Sequence, residues 1–284
     1  MKKVLKGFTL IELIVVMAIL VILMAGIMNM FKPIRETYVD ATLYEAQRTA
    51  QNGVVQYITE SVRYATDLGI YTKGTNNVNN VTNAVENFNK EYLKANGIDP
   101  DDAANATLVA NTLKEVKMKA EVIIIDNTTE YFFNGEKYKG RILRRKFETE
   151  TVSGVKQNKQ LTNDAEDPTK IAACRIALGD AYYGASDYTI SLGVSQDASK
   201  VGDPESGIKV TVASNPSYAN RQVMSDDNVA AGTIISNSGL VMCRNLQSPI
   251  NGMFDTLSYN STSSTGDNTK VYIVYLNEKI DVTP

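Results

Sequence analysis

The sequence contains no histidine and only two cysteines among its 284 residues. Histidine is the commonest general base and the commonest zinc ligand, so its absence removes the usual Ser-His and Cys-His catalytic arrangements. Cys174 and Cys243 lack the CxxC spacing of metal and redox sites, but an even pair in an exported protein permits a disulfide. Two separately buried thiols are the alternative, because a sequence does not report the distance between two Cα atoms.

The chain also lacks a basic excess. Its 29 Lys and Arg residues face 32 Asp and Glu residues, which leaves a formal net charge of −3. A protein whose main partner is nucleic acid or anionic lipid carries a surplus of positive charge. Nucleic acid is therefore disfavoured as a partner.

Charge is almost absent from one stretch, the 24-residue apolar run from Phe8 to Phe31. As a helix it would be roughly 36 Å long, enough to cross a hydrocarbon layer of about 30 Å. Its only ionisable residue is Glu12. A carboxylate facing lipid costs about 2.5 kcal/mol or more, so Glu12 needs a partner from another chain. The seven residues before the run, here called the leader, contain three lysines: Lys2, Lys3 and Lys6. Their charge predicts that the leader lies on the cytoplasmic side of the membrane and the rest of the chain outside.

The border of this run reads Lys6-Gly7-Phe8-Thr9-Leu10-Ile11-Glu12-Leu13 and resembles the class III signal of type IV prepilins and pseudopilins. The resemblance implies that prepilin peptidase cuts between Gly7 and Phe8 and that the new amine of Phe8 is methylated. It also implies that Glu12 pairs with the terminal amine of a neighbouring subunit. The pairing is physically reasonable, because a buried carboxylate and a buried amine offset each other's loss of hydration.

Two simpler interpretations of the run compete with this one. A secretory signal would have a shorter apolar core followed by an A-x-A-like site, and no such site is present. An uncleaved membrane anchor fits the hydropathy equally well. It leaves both Gly7 at the border and the lone Glu12 unexplained.

The apolar pattern beyond the run predicts a long helix and then an insertion. Three- and four-residue apolar steps continue to Gly69, with a kink expected at Pro33. The stretch 45–65 loosely resembles the post-membrane helix of large minor pilins and pseudopilins of the PilW and PulJ type. Two helices are predicted within an Asn-rich insertion, one from Asn83 to Gly97 and one from Asp99 towards Lys117. The predicted divisions are a leader (1–7), a transmembrane and assembly helix (8–31), an outer helix (32–69), a helical insertion (70–119) and a β-rich head (120–284).

Strand signals dominate after residue 120. The Asn134-Gly135 turn predicts a hairpin, and a short helix is predicted at 168–178. The predicted strands are 120–125, 130–133, 137–150, 188–194, 208–213, 233–235, 240–243 and 271–276. The predicted fold class is therefore α+β, a long N-terminal helix whose outer half packs on an antiparallel sheet.

Two groups of polar residues are candidate surface sites. On a strand, alternate residues share one side, which would gather Lys137, Lys139, Arg141 and Arg145 into a basic patch. A solvated strand that resists edge pairing is the simpler interpretation, and DNA capture is the alternative. No cofactor is expected. Calcium would be the exception, but the oxygen-rich loops lack an ordered ligand spacing: Asp197, Asp203 and Glu205, then Asp226, Asp227 and Asn228.

These observations predict a structural subunit and no enzyme. The expected protein is a minor type IV pilin, held in the cytoplasmic membrane with its head outside and later built into an extracellular pilus. Helices in a filament pack about 8–10 Å apart, so a head of about 250 residues favours a place at or near the tip. The resemblance implies other pilin subunits, prepilin peptidase, the assembly platform and the membrane as partners, and no surface ligand is indicated.

Two alternatives stay open. A minor pseudopilin of type II secretion shares every feature named above. A membrane-anchored surface enzyme belongs to a different class, and the missing histidine counts against it.

Overall fold

The protein is described by a computed structural model that covers residues 9–73, 78–133, 136–167, 169–170, 172–177, 188–196, 207–216, 235–242 and 270–282. The chain divides into two units, Met1–Ala46 and Gln47–Pro284. Helix α1 (Leu10–Val62) provides the described structure of the first unit and the opening residues of the second.

In the first unit, α1 is apolar and exposed. The large apolar side chains from Leu10 to Phe31 are 45–77% exposed. The segment Leu10–Arg35 is long and apolar enough to cross a membrane. Pro33 lies inside the helix and does not end it, and the Thr37 hydroxyl donates a hydrogen bond to the Pro33 carbonyl.

In the second unit, α1 ends at Val62, seven residues before the predicted end at Gly69. Strand β1 (Asp67–Thr72) follows and is buried along its whole length. The boundary predicted between a helix at 32–69 and an insertion at 70–119 is therefore wrong. The reason is tertiary, since pairing with a distant strand outweighs the helical spacing of Ala65 and Leu68.

The central sheet has five antiparallel strands in the order β1-β10-β2-β3-β6. Its other members are β2 (Glu121–Phe133), β3 (Glu136–Arg145), β6 (Cys174–Ile176) and β10 (Lys270–Leu276). Strands β2 and β3 form the predicted hairpin. Strand β2 is continuous where two strands were predicted, and its register shifts between Asp126 and Glu130.

Both faces of this sheet are covered. A buried stripe of α1, formed by Val54, Ile58 and Val62, lies over one face. A groove on the same face is lined by Tyr57 of α1 and Arg144 of β3, among other residues. Helices α2 (Val81–Ala95) and α3 (Ala106–Lys119) contribute to the core on the opposite face. The fold is α+β, as predicted, and the predicted helices of the insertion form an integral outer layer of the core.

The remaining strands form two smaller antiparallel sheets. One is the hairpin of β4 (Thr149–Val152) and β5 (Val155–Asn158). The other has the order β7-β8-β9, with β7 (Tyr188–Gln196), β8 (Gly207–Pro216) and β9 (Ile235–Met242). Strands β7 and β8 match predicted strands, whereas β9 is continuous where two strands, 233–235 and 240–243, were predicted. The short helix predicted at 168–178 is wrong, because a 3₁₀ turn at Asn163–Glu166 comes earlier and β6 occupies part of that range.

Candidate functional site at the start of the N-terminal helix

Thr9 and Glu12 close the first turn of α1 with reciprocal hydrogen bonds. The Glu12 Oε2 atom accepts from the Thr9 backbone N–H at 2.9 Å and from the Thr9 hydroxyl at 2.8 Å. The Glu12 backbone N–H donates a hydrogen bond to the Thr9 Oγ1 atom, with 3.4 Å between nitrogen and oxygen. Thr9 therefore sits at the N-cap with Glu12 three residues later, and together they form a capping box.

The capping box fixes where the carboxylate of Glu12 lies. The side chain is held at the first turn, where the free N–H groups of a helix favour negative charge. The next cation along the helix is Lys32, about 30 Å further along the axis. Glu12 is therefore a localised acid at one end of a helix whose apolar surface is open to lipid or to other helices.

The sequence interpretation did not assign a role to Thr9. The signal was present, since a Thr followed three residues later by Glu, directly before an apolar run, is the signature of a capping box. The predicted cleavage and methylation positions, Gly7 and Phe8, lie outside the described residues. Cleavage there and the assembly pairing of Glu12 stay predictions.

Cys174 carries a free, buried thiol. Its Sγ atom donates to the carbonyl oxygen of Asp167 at 2.7 Å. Burial, reinforced by nearby acidic groups, raises the pKa of the Cys174 thiol to about 12. Cys243 lies outside the described part of the chain, so both alternatives, a disulfide and two separately buried thiols, stay predictions.

The structure removes Arg145 from the predicted basic patch. Its side chain is only 5% exposed, and its guanidinium donates to the carbonyl oxygens of Ala120 and Lys159. Burial lowers the pKa of Arg145 to about 10. The guanidinium also lies 4.4 Å from the centre of the Phe147 ring. Arg145 thus ties β3 to neighbouring backbone and offers no charge to a surface ligand.

The rest of the patch is not tested. Lys137, Lys139 and Arg141 lie on β3, but only their backbone is described. The loops named for calcium lie outside the described residues. Within the residues that are described, no group of three acidic, Cys or His side chains is placed to hold a metal ion.

A polar groove lies between α1 and the sheet, lined by residues that include Tyr57, Tyr64 and Arg144. Two of its ionic groups bind each other, since the Arg144 guanidinium pairs with the Glu121 carboxylate. The same carboxylate accepts from the hydroxyl of Tyr275 at 3.1 Å. These bonds join side chains of three strands of the sheet, β2, β3 and β10.

Comparison with known proteins finds similarity in one short region of the chain, at its N-terminus. The profile of the family described as the prokaryotic N-terminal methylation motif matches residues 3–28. No curated protein and no solved structure shows significant similarity to the chain. The matched region contains Glu12 and most of the exposed apolar surface of α1, and its family is structural and not enzymatic. The match covers only this N-terminal region; together with an apolar helix long enough to cross a membrane, it supports a type IV pilin-like or pseudopilin protein.

Proposed function

We propose that this protein is a minor type IV pilin, processed by prepilin peptidase after Gly7 and built into a surface pilus through α1. The observation that carries the proposal is the position of Glu12. It is the only acid in an apolar segment that is exposed on all sides, and it lies within the matched methylation motif, about one helical turn after the expected new terminus at Phe8.

The exposed segment favours association with other helices. An apolar helix with no polar face is stable in lipid or in a bundle of similar helices, and in water it would aggregate. Burying Glu12 in such a bundle leaves a carboxylate without water, which a cationic amine from a second subunit offsets. The capping box holds the carboxylate near the expected new terminus at Phe8, so an incoming amine meets a fixed partner.

The size and composition of the head support a place at or near the filament tip. A five-stranded sheet with helices on both faces, together with two further sheets, follows a helix that must pack beside its neighbours at about 8–10 Å. Such a head is more easily accommodated where one side is free of other subunits. A role in initiation or adhesion follows from that position, because loops presented by a rigid scaffold are common binding surfaces.

Processing is tested by the N-terminus of the mature protein. Mass spectrometry of protein from the native membrane should find chains that begin with a methylated Phe8. A Gly7→Val variant should keep its leader, because a branched side chain does not fit a site selected for glycine. A mature wild-type protein that retains residues 1–7 would overturn the proposal.

Assembly is tested with Glu12→Ala, using Glu45→Ala as a matched acidic control further along α1. The Glu12 variant should remain folded and membrane-bound but be largely absent from sheared filaments, and the control should assemble normally. Equal incorporation of both variants would contradict the pairing role.

The same filament preparations test the position of the subunit in the filament, and a deletion strain tests whether it serves a pilus or a secretion system. Quantitative mass spectrometry and immunogold labelling should give a low copy number and label at filament ends. Uniform labelling of the shaft would exclude the tip position. Loss of protein secretion rather than of pili in a deletion strain would favour the type II pseudopilin instead.

A further inference from the structure

A buried lysine lies between two carboxylates inside the head. The Lys270 Nζ atom is 2.9 Å from Asp126 Oδ2 and 2.7 Å from Glu166 Oε2. The Asp126 side chain is fully buried, and the side chains of Lys270 and Glu166 are 11% and 15% exposed. An ion group of this kind is expensive to bury, and replacing it by apolar residues is often neutral or stabilising. Stability alone therefore does not explain why these three residues are buried together, which leaves room for a chemical role.

The three residues are held by separate elements. Lys270 and Asp126 are direct register partners on the adjacent strands β10 and β2. Glu166 comes from the 3₁₀ turn, and its Oε1 atom accepts from the Tyr272 hydroxyl at 3.2 Å and from the backbone N–H of Val81. The amine, the carboxyl group and the second acid are thus fixed in contact before any reaction.

We propose that Lys270 and Asp126 condense to form an intramolecular isopeptide bond, with Glu166 carrying the protons. In the reactive form, one proton has moved from the Lys270 ammonium to the Asp126 carboxylate, which leaves the net charge of the group unchanged. The neutral Nζ attacks the Asp126 Cγ atom. Glu166 takes the proton released by the nitrogen and returns it to the departing oxygen. A C–N bond forms, a C–O bond breaks, and one water molecule leaves.

Burial supports the required proton transfer. Burial alone lowers the pKa of Lys270, but hydrogen bonds and charge from Glu166 and Asp126 outweigh it and raise that pKa above its usual value. The ionised form is therefore the resting one. A neutral amine and a neutral carboxylic acid nevertheless lose less hydration free energy than two ions when water is excluded. The reactive neutral form is therefore far more accessible here than in solution.

Fixed geometry supports the bond formation itself. Amide formation in water is unfavourable for free groups, but groups held in contact react as if at effective concentrations of about 10⁵–10⁸ M. The product would join two central strands at positions 144 residues apart in the chain. Closing so long a loop covalently restricts the unfolded chain strongly. That suits a subunit whose head must survive outside the cell.

The bond is tested on the full-length protein extracted in detergent. Its mass should be lower by one water molecule than its processed sequence requires. Trypsin should fail to cut after Lys270 and should release a branched peptide that joins residues 120–137 to residues 245–279. The wild-type melting temperature should exceed that of an unlinked variant by on the order of 10 °C.

Three variants separate the chemistry from simple packing. Lys270→Arg keeps the charge but removes the nucleophilic amine, and Glu166→Gln keeps the shape but cannot carry the proton. Neither should lose water. Asp126→Asn should still condense, but with loss of one ammonia molecule. Lys159→Arg is the control, because Lys159 forms an exposed pair with Glu148 at 3.3 Å and its change should leave the wild-type mass loss intact.

The wild-type mass decides the matter even if a variant fails to fold. A wild-type chain with no water loss and normal cleavage after Lys270 would overturn the proposal and identify the cluster as an ion group that only packs the core. That result would leave the proposed assembly role of α1 unaffected.

Discussion

The segment Leu10–Phe31 and strand β10 are both continuous runs of mainly apolar residues, yet their surroundings are opposite. All seven residues of β10 are buried, whereas every large apolar side chain of the helical segment is at least 45% exposed. Apolar composition therefore indicates that a segment leaves water. It does not indicate whether protein or lipid receives it.

Backbone hydrogen bonding explains the difference. A helix satisfies its own N–H and C=O groups and can stand alone in lipid, but a strand depends on neighbours. Strand β10 pairs with β1 on one side and β2 on the other, and helices cover both faces of the sheet. It is held by residues some 150 to 200 positions away in the chain, while the first turn of α1 is closed by two residues three positions apart.

Removing the residues before Tyr38 should give the largest effect. The full chain needs detergent because the exposed apolar segment is present, and the shortened chain should be soluble and monomeric. The buried stripe of Val54, Ile58 and Val62 remains, so the head should still unfold cooperatively. Gel filtration and thermal denaturation measure both properties. Aggregation, or a transition without cooperativity, would mean that the head needs the apolar segment to fold.

Two phenylalanines sharpen the contrast at the level of single side chains. Phe88 is fully buried, with its ring 6.3 Å from that of Tyr92, whereas Phe31 is 63% exposed. Phe88→Ala should lower the free energy of unfolding of the head by about 3–5 kcal/mol. Phe31→Ala, the matched control, should leave it unchanged. Chemical denaturation of both variants in the same detergent measures the difference, and equal losses would contradict the division into two regions.

Gly→Ala substitutions at two positions test the same contrast between the buried sheet and the exposed helical segment, because each adds one methyl group. A Cβ atom on Gly69 would lie 2.6 Å from the Tyr71 hydroxyl oxygen and 2.9 Å from Phe88 Cδ2. Gly69→Ala should therefore destabilise the head by about 1–3 kcal/mol. It should also disturb the 2.8 Å hydrogen bond from Tyr71 to Glu91. Gly26→Ala meets nothing within 4 Å and should not change head stability, which denaturation curves can check.

Asp67 should give the smallest effect, and one that depends on pH. Burial raises the pKa of this carboxyl group above 3.8, although a hydrogen bond from Thr66 opposes the shift. The folded state therefore binds the proton more tightly than the unfolded state, so wild-type stability is reduced above the folded pKa and recovers as pH falls. Asp67→Asn should raise stability at neutral pH. The two unfolding free energies should converge towards about pH 4, and a constant difference would contradict this cause.

Local patterns predicted much of this architecture. The stripe on α1, the helices α2 and α3, the β2–β3 hairpin and the strands β7 and β8 each have a signal within a few residues. The N-cap of α2 was placed three residues late, because the Asn80 side chain, and not that of Asn83, accepts the capping hydrogen bond. Such shifts reflect the choice between neighbouring capping residues of similar strength.

The misses share a different cause. The sequence predicts a helix end where β1 lies, because this strand is buried on both sides and lacks the alternation that marks a strand. Strand β6 has only three residues and exists through its pairing with β3. Alternation along β3 predicts a surface patch that includes Arg145, because it indicates the side on which a residue lies and not what covers that side.

The membrane-spanning length, the acid at its start and the methylation motif depend on residues that are adjacent in the chain, and one-dimensional information was enough to find them. The end of α1, the burial of Arg145 and the meeting of Lys270 with Asp126 and Glu166 depend on groups more than 20 residues apart. Those contacts form only when the folded core repays the entropy of bringing distant segments together, and that balance belongs to the whole structure and to no local pattern.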